Sequence, residues 1–238
     1  MRKIQFSKNH FYHIYNRGVE KRDIFGDDND RWRFLQALYL FNDIEPSNNI
    51  LWQVGRDYGR TTFKTIKVSL EKRERKPLVR LMADCLMPNH YHLLIEEIRD
   101  GGISKFMHKF GTGYTNYFNE KNKRVGSLFQ GEFKAVMIDD YDQLEYLLVY
   151  INVINPGQLI EPLLKRDGAR NINKIKKFAE TYLWSTHQEY LSKRNSVIID
   201  KGILGEIFSS SKKYRDFISV ILEGKKIIKS KGNNLFLE

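Results

Sequence analysis

Residues 78–97, LVRLMADCL-MPNH-YHLLIEE, constrain this chain more than any other stretch. Two apolar runs meet at Met87-Pro88-Asn89-His90, and Pro and Asn at the two central positions are turn chemistry. The unit reads as a β-hairpin. His90 and His92 stand two apart on its second strand, so both side chains leave the same face. Neutral imidazoles are good metal ligands, and a pair at this spacing can share one ion. On its own a His-x-His pair is unspecific, and most such pairs are ordinary surface or core histidines. The sequence holds no HExxH and no Cys/His quartet, so structural-zinc and metalloprotease readings lack their ligands. Its single cysteine, Cys85, excludes a disulfide framework and reads as a small buried residue of the hairpin. Any metal site must therefore come from His and oxygen ligands.

The flanking segments supply the rest of a sheet and its helices. Residues 10–17, HFYHIYNR, alternate as a strand and end in a turn at Asn16-Arg17-Gly18. Asp27-Asp28-Asn29-Asp30 offers N-caps for a helix carrying Trp32, Leu35, Leu38 and Tyr39 and ending near Asn42. Residues 50–70 read as two short strands, LWQVG and TTFKTIKVSL, around RDYGR, followed by a charged connector over 71–77. From 103 to 118 the positions Ile103, Phe106, Met107, Phe110, Tyr114, Tyr117 and Phe118 keep a helical period. Gly111 and Gly113 within it either weaken that helix or admit a close neighbour. Residues 131–138 alternate as a strand, and Asp139-Asp140 cap a helix, YDQLEYLLVYINVI, that stops before Asn155-Pro156-Gly157. The remainder reads as a basic, mostly helical tail, with helices around 171–183, 185–193 and 212–223, and little to hold the final residues.

Charge narrows the partners. Forty Lys+Arg against 29 Asp+Glu leave +11, which attracts polyanions, and 13 Tyr with 15 Phe can stack on bases. A hydrophobic share of 41% suits one elaborated domain with a packed core and argues against disorder. Neither a signal-peptide stretch at MRKIQFSKNHFYHIY nor a run of about 18 apolar residues is present. The expectation is a cytoplasmic protein that binds nucleic acid and no membrane.

Tyr146 and Tyr150 lie four apart on one face of the helix after the last strand. Tyrosine can act as a covalent nucleophile, but with a free pKa of about 10 it needs a cation or base nearby. The strings CLMPNHYHLLIEE, GSLFQGEFKAV and EYLLVYINVINP, in this order, resemble the single-tyrosine HUH transposases, most of all the REP-associated tyrosine transposase branch. HIYNRGVEKRDIFGDD resembles that family's opening strand and turn, and LWSTHQEYL and KKYRDFISVIL its C-terminal pieces.

The resemblance implies an α+β, ferredoxin-like antiparallel sheet flanked by helices, with the His pair on a central strand and a basic helical C-terminal extension. It divides the chain into a nuclease domain over 1–160, with an insert near 45–75, and an extension over 161–238. It implies Mg²⁺- or Mn²⁺-dependent cleavage and rejoining of single-stranded DNA near hairpins, through a 5′-phosphotyrosine link. By motif position Tyr150 is the nucleophile, Tyr146 the fallback, and His90 and His92 metal ligands. A family member often carries Asn four residues after the tyrosine to complete the metal site, whereas here Ile154 stands at that position and Asn155 follows at five. Either the helix end shifts to bring Asn155 in, or Asn152 or a water substitutes. DNA-contact candidates are Arg17, Arg22, Lys105, Arg124, Gln130 and Lys134, with Phe129 and Phe133 as stacking candidates. Such a protein acts as monomer or homodimer, nucleoid-associated in a prokaryote. The competing readings are a catalytically inactive or domesticated single-strand binder on the same scaffold, and a replication-initiator or relaxase-like nickase.

Overall fold

The computed structural model describes residues 4–45, 50–58, 61–70 and 74–224. Strand β1 (Phe11–Arg17) leads to helix α1 (Asp28–Phe41), two short helices, α2 (Ile50–Tyr58) and α3 (Phe63–Leu70), and the hairpin strands β2 (Arg80–Met87) and β3 (His90–Glu96). Helix α4 (Gly102–Lys121), strand β4 (Lys134–Ile138) and helix α5 (Tyr141–Val149) complete the sheet and its cover. All pairings are antiparallel and the strand order is β2-β3-β1-β4. This is the ferredoxin-like α+β arrangement, with the His pair on an interior strand.

Alternation divides the sheet into two faces. Tyr12, Ile14, Tyr91, Leu93 and Ile95 pack against Phe34 and Leu38 of α1 and Phe106, Phe110 and Tyr114 of α4. Helix α1 starts where expected, because the Asp27 side chain accepts from the backbone N–H of Asp30. Gly113 serves close approach, since a Cβ there would lie 2.4 Å from the Phe41 ring. Trp32, in contrast, stays 45% exposed.

Residues 50–70 depart from the expected strands and form α2 and α3. Ile66 and Leu70, four apart, are buried with Leu40 and Leu51, while Val68 between them is exposed. A strand would have placed all three on one face.

The second face of the sheet is covered by α5 and by the C-terminal helices. These are α6 (Asn155–Gly157), α7 (Leu164–Asp167), α8 (Ile172–Thr181), α9 (His187–Tyr190), α10 (Ile203–Ile207) and α11 (Ser211–Gly224). The helix expected around 185–193 shrinks to α9, and α10 was not anticipated from the sequence. Tyr190, Tyr214 and Ile218 share one core with Met82, Cys85 and Leu94 of the sheet. Residues 184–186 run along the outer edge of β2: Leu86 N–H donates to Trp184 O at 2.8 Å and Thr186 N–H to Asp84 O at 3.0 Å. This segment thus protects an edge that would otherwise offer unpaired backbone groups. The connector residues 71–73 and the chain end from 225 lie outside the described residues. Among those described, no helix is long and apolar enough to cross a membrane.

Candidate active site

Period-two alternation along β1 puts His13, Tyr15 and Arg17 on the face that carries His90 and His92, with Tyr15 opposite His92 and Arg17 opposite His90. The rings of His90 and His92 are 5.1 Å apart and nearly perpendicular. His90 Nδ1 lies 2.7 Å from Asn89 Oδ1. A carboxamide oxygen only accepts, so Nδ1 carries a proton and, in the neutral ring, Nε2 holds the lone pair. His92 is fully buried, and its Nδ1 is hydrogen-bonded to His13 Nε2 at 2.8 Å.

Helix α5 begins at Asp140, whose side chain accepts from the backbone N–H of Gln143. It does not stop before Asn155. It widens into a π-helical turn over Tyr150–Ile154 and continues as α6, with the N–H of Asn155 bonded to the carbonyl of Tyr150. Pro156 supplies a reason: it has no N–H, and in an α-helix its ring would crowd the carbonyl of Asn152. A π turn takes up one additional residue. The tyrosine-to-asparagine spacing of five therefore spans one turn, as a spacing of four would in an α-helix.

Tyr150 meets both buried histidines edge to face, with ring centres 5.6 Å from His92 and 6.0 Å from His13. The Lys165 ammonium sits 5.5 Å from the centre of the same ring. Tyr150 is only 1% exposed. Tyr146, one turn earlier, packs half-buried against the adjoining core, and burial pushes its phenol up to about 12.

Two imidazoles, His92 in the tautomer that leaves Nε2 unprotonated, suit a divalent cation, and among the described residues no third His, Cys, Asp or Glu joins them in a cluster. A further ligand must then be an amide, a water or the bound substrate. Asn152 and Asn155 are both fully buried. Asn152 uses both ends of its amide, donating to Tyr214 Oη at 3.0 Å and accepting from Thr186 Oγ1 at 2.7 Å. Asn155 accepts from Gln158 Nε2 at 3.0 Å, while its Nδ2 has no hydrogen-bond partner. Exchanging oxygen and nitrogen on the Asn155 and Gln158 amides keeps the bond between them and puts Asn155 Oδ1 at the unbonded position. By its chemistry, a set of two imidazoles and one amide oxygen suits a divalent cation.

Beside His90 lies a cleft of about 180 Å³, lined by Tyr15, Asn16, Arg17, His90, Gln130 and Lys134. Three of the expected DNA-contact residues, Arg17, Gln130 and Lys134, meet there. The backbone N–H of Gln130 donates to Arg17 O, and Lys134 Nζ lies 5.8 Å from the Tyr15 ring centre. The other three lie apart from this lining. Arg22 pairs with Glu20, Arg124 ties down its own loop through Asn119 and Ser127 O, and Lys105 is exposed on α4, which covers the opposite face. Of the stacking candidates, Phe129 belongs to the core and Phe133 stacks on Phe6. Sequence reading missed His13, Tyr15 and Lys165. The alternation of β1 was the available signal for the first two.

Residues 54–153 match the family model described as "Transposase IS200 like". That span is under half of the chain; it includes His90, His92, Tyr146 and Tyr150 and ends short of Asn155. A solved structure titled "Structure of the REP associates tyrosine transposase bound to a REP hairpin" is similar with a TM-score of 0.46 and 13% identity, over 84% of this chain and 93% of that one. A comparison with curated protein sequences finds no match.

Proposed function

We propose that this protein, whose residues 54–153 match the IS200-like transposase model, cleaves and rejoins single-stranded DNA next to hairpins, using Tyr150 as the nucleophile. The observation that carries the reading is the edge-to-face contact of Tyr150 with His92, two residues from the His90 that lines the basic cleft. Arg17 and Lys134 bind backbone phosphates by charge, and Gln130 donates to a phosphate or a base edge. Tyr15, beneath the Lys134 ammonium, offers a ring on which an unpaired base stacks.

In cleavage, Tyr150 Oη attacks the phosphorus and gives up its proton to water. The new O–P bond leaves a 5′-phosphotyrosine, and the broken P–O3′ bond leaves a 3′-hydroxyl once that oxygen takes a proton. Rejoining reverses this: a 3′-hydroxyl attacks the phosphotyrosine and the phenol is restored. The Lys165 ammonium near the ring favours the developing phenolate. A divalent cation on His90, His92 and the Asn155 amide would polarise the phosphoryl oxygen and steady the leaving oxygen. Two imidazoles suit Mn²⁺ better than Mg²⁺.

One observation favours the other reading, a single-strand binder that no longer reacts: Tyr150 is 1% exposed and does not line the cleft. Labelled hairpin DNA with a single-stranded flank, incubated with Mn²⁺ and then denatured, separates the two. A covalent protein–DNA species in wild type that disappears in Tyr150→Phe is the expected result. Binding without any adduct supports the non-catalytic reading. An adduct lost in Tyr146→Phe but kept in Tyr150→Phe overturns the choice of nucleophile.

A further inference from the structure

We infer that His13 is a positioning residue, which holds the His92 ring with Nδ1 protonated so that Nε2 offers its lone pair. The inference rests on the proposed role of His92 as a cation ligand. His13 sits on β1, paired on both sides by β3 and β4, and is 1% exposed. In the ladder His13 lies opposite Leu94 and Tyr15 opposite His92, so His13 and His92 are diagonal neighbours on one face. Their rings lie 5.0 Å apart at 21°, and Nε2 of the first is 2.8 Å from Nδ1 of the second.

Two neutral imidazoles can make that bond in two ways. With His92 Nδ1–H donating to His13 Nε2, the lone pair of His92 falls on Nε2. With the direction reversed, the lone pair of His92 is spent on His13 and Nε2 carries a proton that no cation can displace cheaply. Only the first arrangement makes His92 a ligand through Nε2, the same nitrogen that Asn89 leaves available on His90. The His13 ring is itself fixed between Tyr15, at 4.9 Å, and the edge of Tyr150, at 6.0 Å.

Ligating histidines usually donate their second N–H to a carboxylate, a carbonyl or water. An imidazole in that place accepts the same bond without adding negative charge. The distinction matters here because Arg17 and Lys134 line the adjacent cleft, where a carboxylate would oppose a phosphate.

The test uses the full chain. In metal-free wild type, ¹⁵N-histidine NMR should report His92 as the Nδ1–H tautomer, and His13→Leu should mix the two tautomers. Calorimetric titration with MnCl₂ should give an affinity about 10–100-fold lower in His13→Leu. His13→Gln, whose amide oxygen can accept the same bond, should recover most of it. If His13→Leu fails to fold, the wild-type tautomer and the Gln variant still decide. A wild-type His92 in the Nε2–H tautomer overturns the inference, as does Mn²⁺ affinity in His13→Leu equal to wild type. A tautomer and affinity dependent on His13 with no DNA adduct would uphold the inference while the transposition reading falls. An adduct in wild type with affinity indifferent to His13 would do the opposite.

Discussion

The backbone N–H of Asn155 bonds the carbonyl of Tyr150, five residues back in the chain. An ordinary α-helix would have bonded it to Ile151 and turned the Asn155 side chain away by about 100°. The π turn is how a spacing of five residues keeps the Tyr150 and Asn155 side chains one turn apart, as a spacing of four would in an α-helix. Pro156 and the complete burial of Ile151, Asn152, Val153 and Ile154 hold the turn in place. A local irregularity of the backbone and the composition of the candidate cation site are therefore one feature.

Deleting Val153 should let this segment relax to an α-helix with Asn four residues after Tyr150. The shortened chain should fold and bind Mn²⁺ within about tenfold of wild type. Inserting an alanine after Val153 makes a spacing that no single turn spans, and Mn²⁺ affinity should fall by about 100-fold, the upper end of what misplaced ligand support costs. Titration calorimetry on both proteins checks this. Equal affinities in the two would show that Asn155 is not a ligand.

The same turn is tied to Thr186 and to α11. Tyr214 of α11 accepts from Asn152 Nδ2 at 3.0 Å and lies 3.1 Å from His187 Nδ1, while Thr186 donates to the other end of the Asn152 amide. Tyr214→Phe strips a buried hydroxyl from these partners, at a cost of about 1–3 kcal/mol. Thermal denaturation should show a lower Tm. The rate of DNA adduct formation should fall several-fold at saturating DNA while affinity for the hairpin stays within twofold. A variant with wild-type rate and lowered Tm would confine the network to stability.

Much of this was legible in the sequence because short-range rules and the tertiary outcome agree there. The hairpin turn, the Asp27 and Asp140 caps and the 3.6-residue period of α4 each act within a few residues. Residues 50–70 misled because TTFKTIKVSL is rich in β-branched residues, and only packing of Ile66 and Leu70 on Leu40 and Leu51 selects the helix. His13 stayed hidden for a different reason. Its partner is 79 positions away, and nothing local in HFYHIYNR says which strand β1 will pair with or in what register. The π turn has one local sign, Pro156, which equally signals a helix end.

The cleft separates the cationic candidates by position. Arg17→Ala and Lys134→Ala should each weaken binding of a single-stranded oligonucleotide and lower the slope of log K against log salt by about 0.7, one phosphate contact. Lys105→Ala, on the far face of the sheet, should leave affinity and slope unchanged. Fluorescence anisotropy between 50 and 300 mM salt would read both quantities. A loss with Lys105→Ala matching that of Arg17→Ala would move the DNA path to the other face.

Asp84 should make the attachment of residues 184–186 to β2 depend on pH. Its carboxyl is buried where β2 meets residues 184–186; burial, with Glu189 adding repulsion and Arg194 opposing it, pushes it from 3.8 up to about 7. In the unfolded chain it ionises near 3.8, so between pH 4 and 7 the folded state holds more proton than the unfolded one. This group's contribution to stability is accordingly complete below pH 4 and is lost as pH rises through 7, by on the order of a few kcal/mol. Asp84→Asn removes the ionisation while keeping the side-chain shape. The Tm of Asp84→Asn minus that of wild type should grow more positive from pH 5 to pH 8, which cancels groups common to both, including His187, whose burial lowers it to about 4. Differential scanning calorimetry across that range measures the difference, and a value independent of pH would mean that Asp84 is ionised throughout.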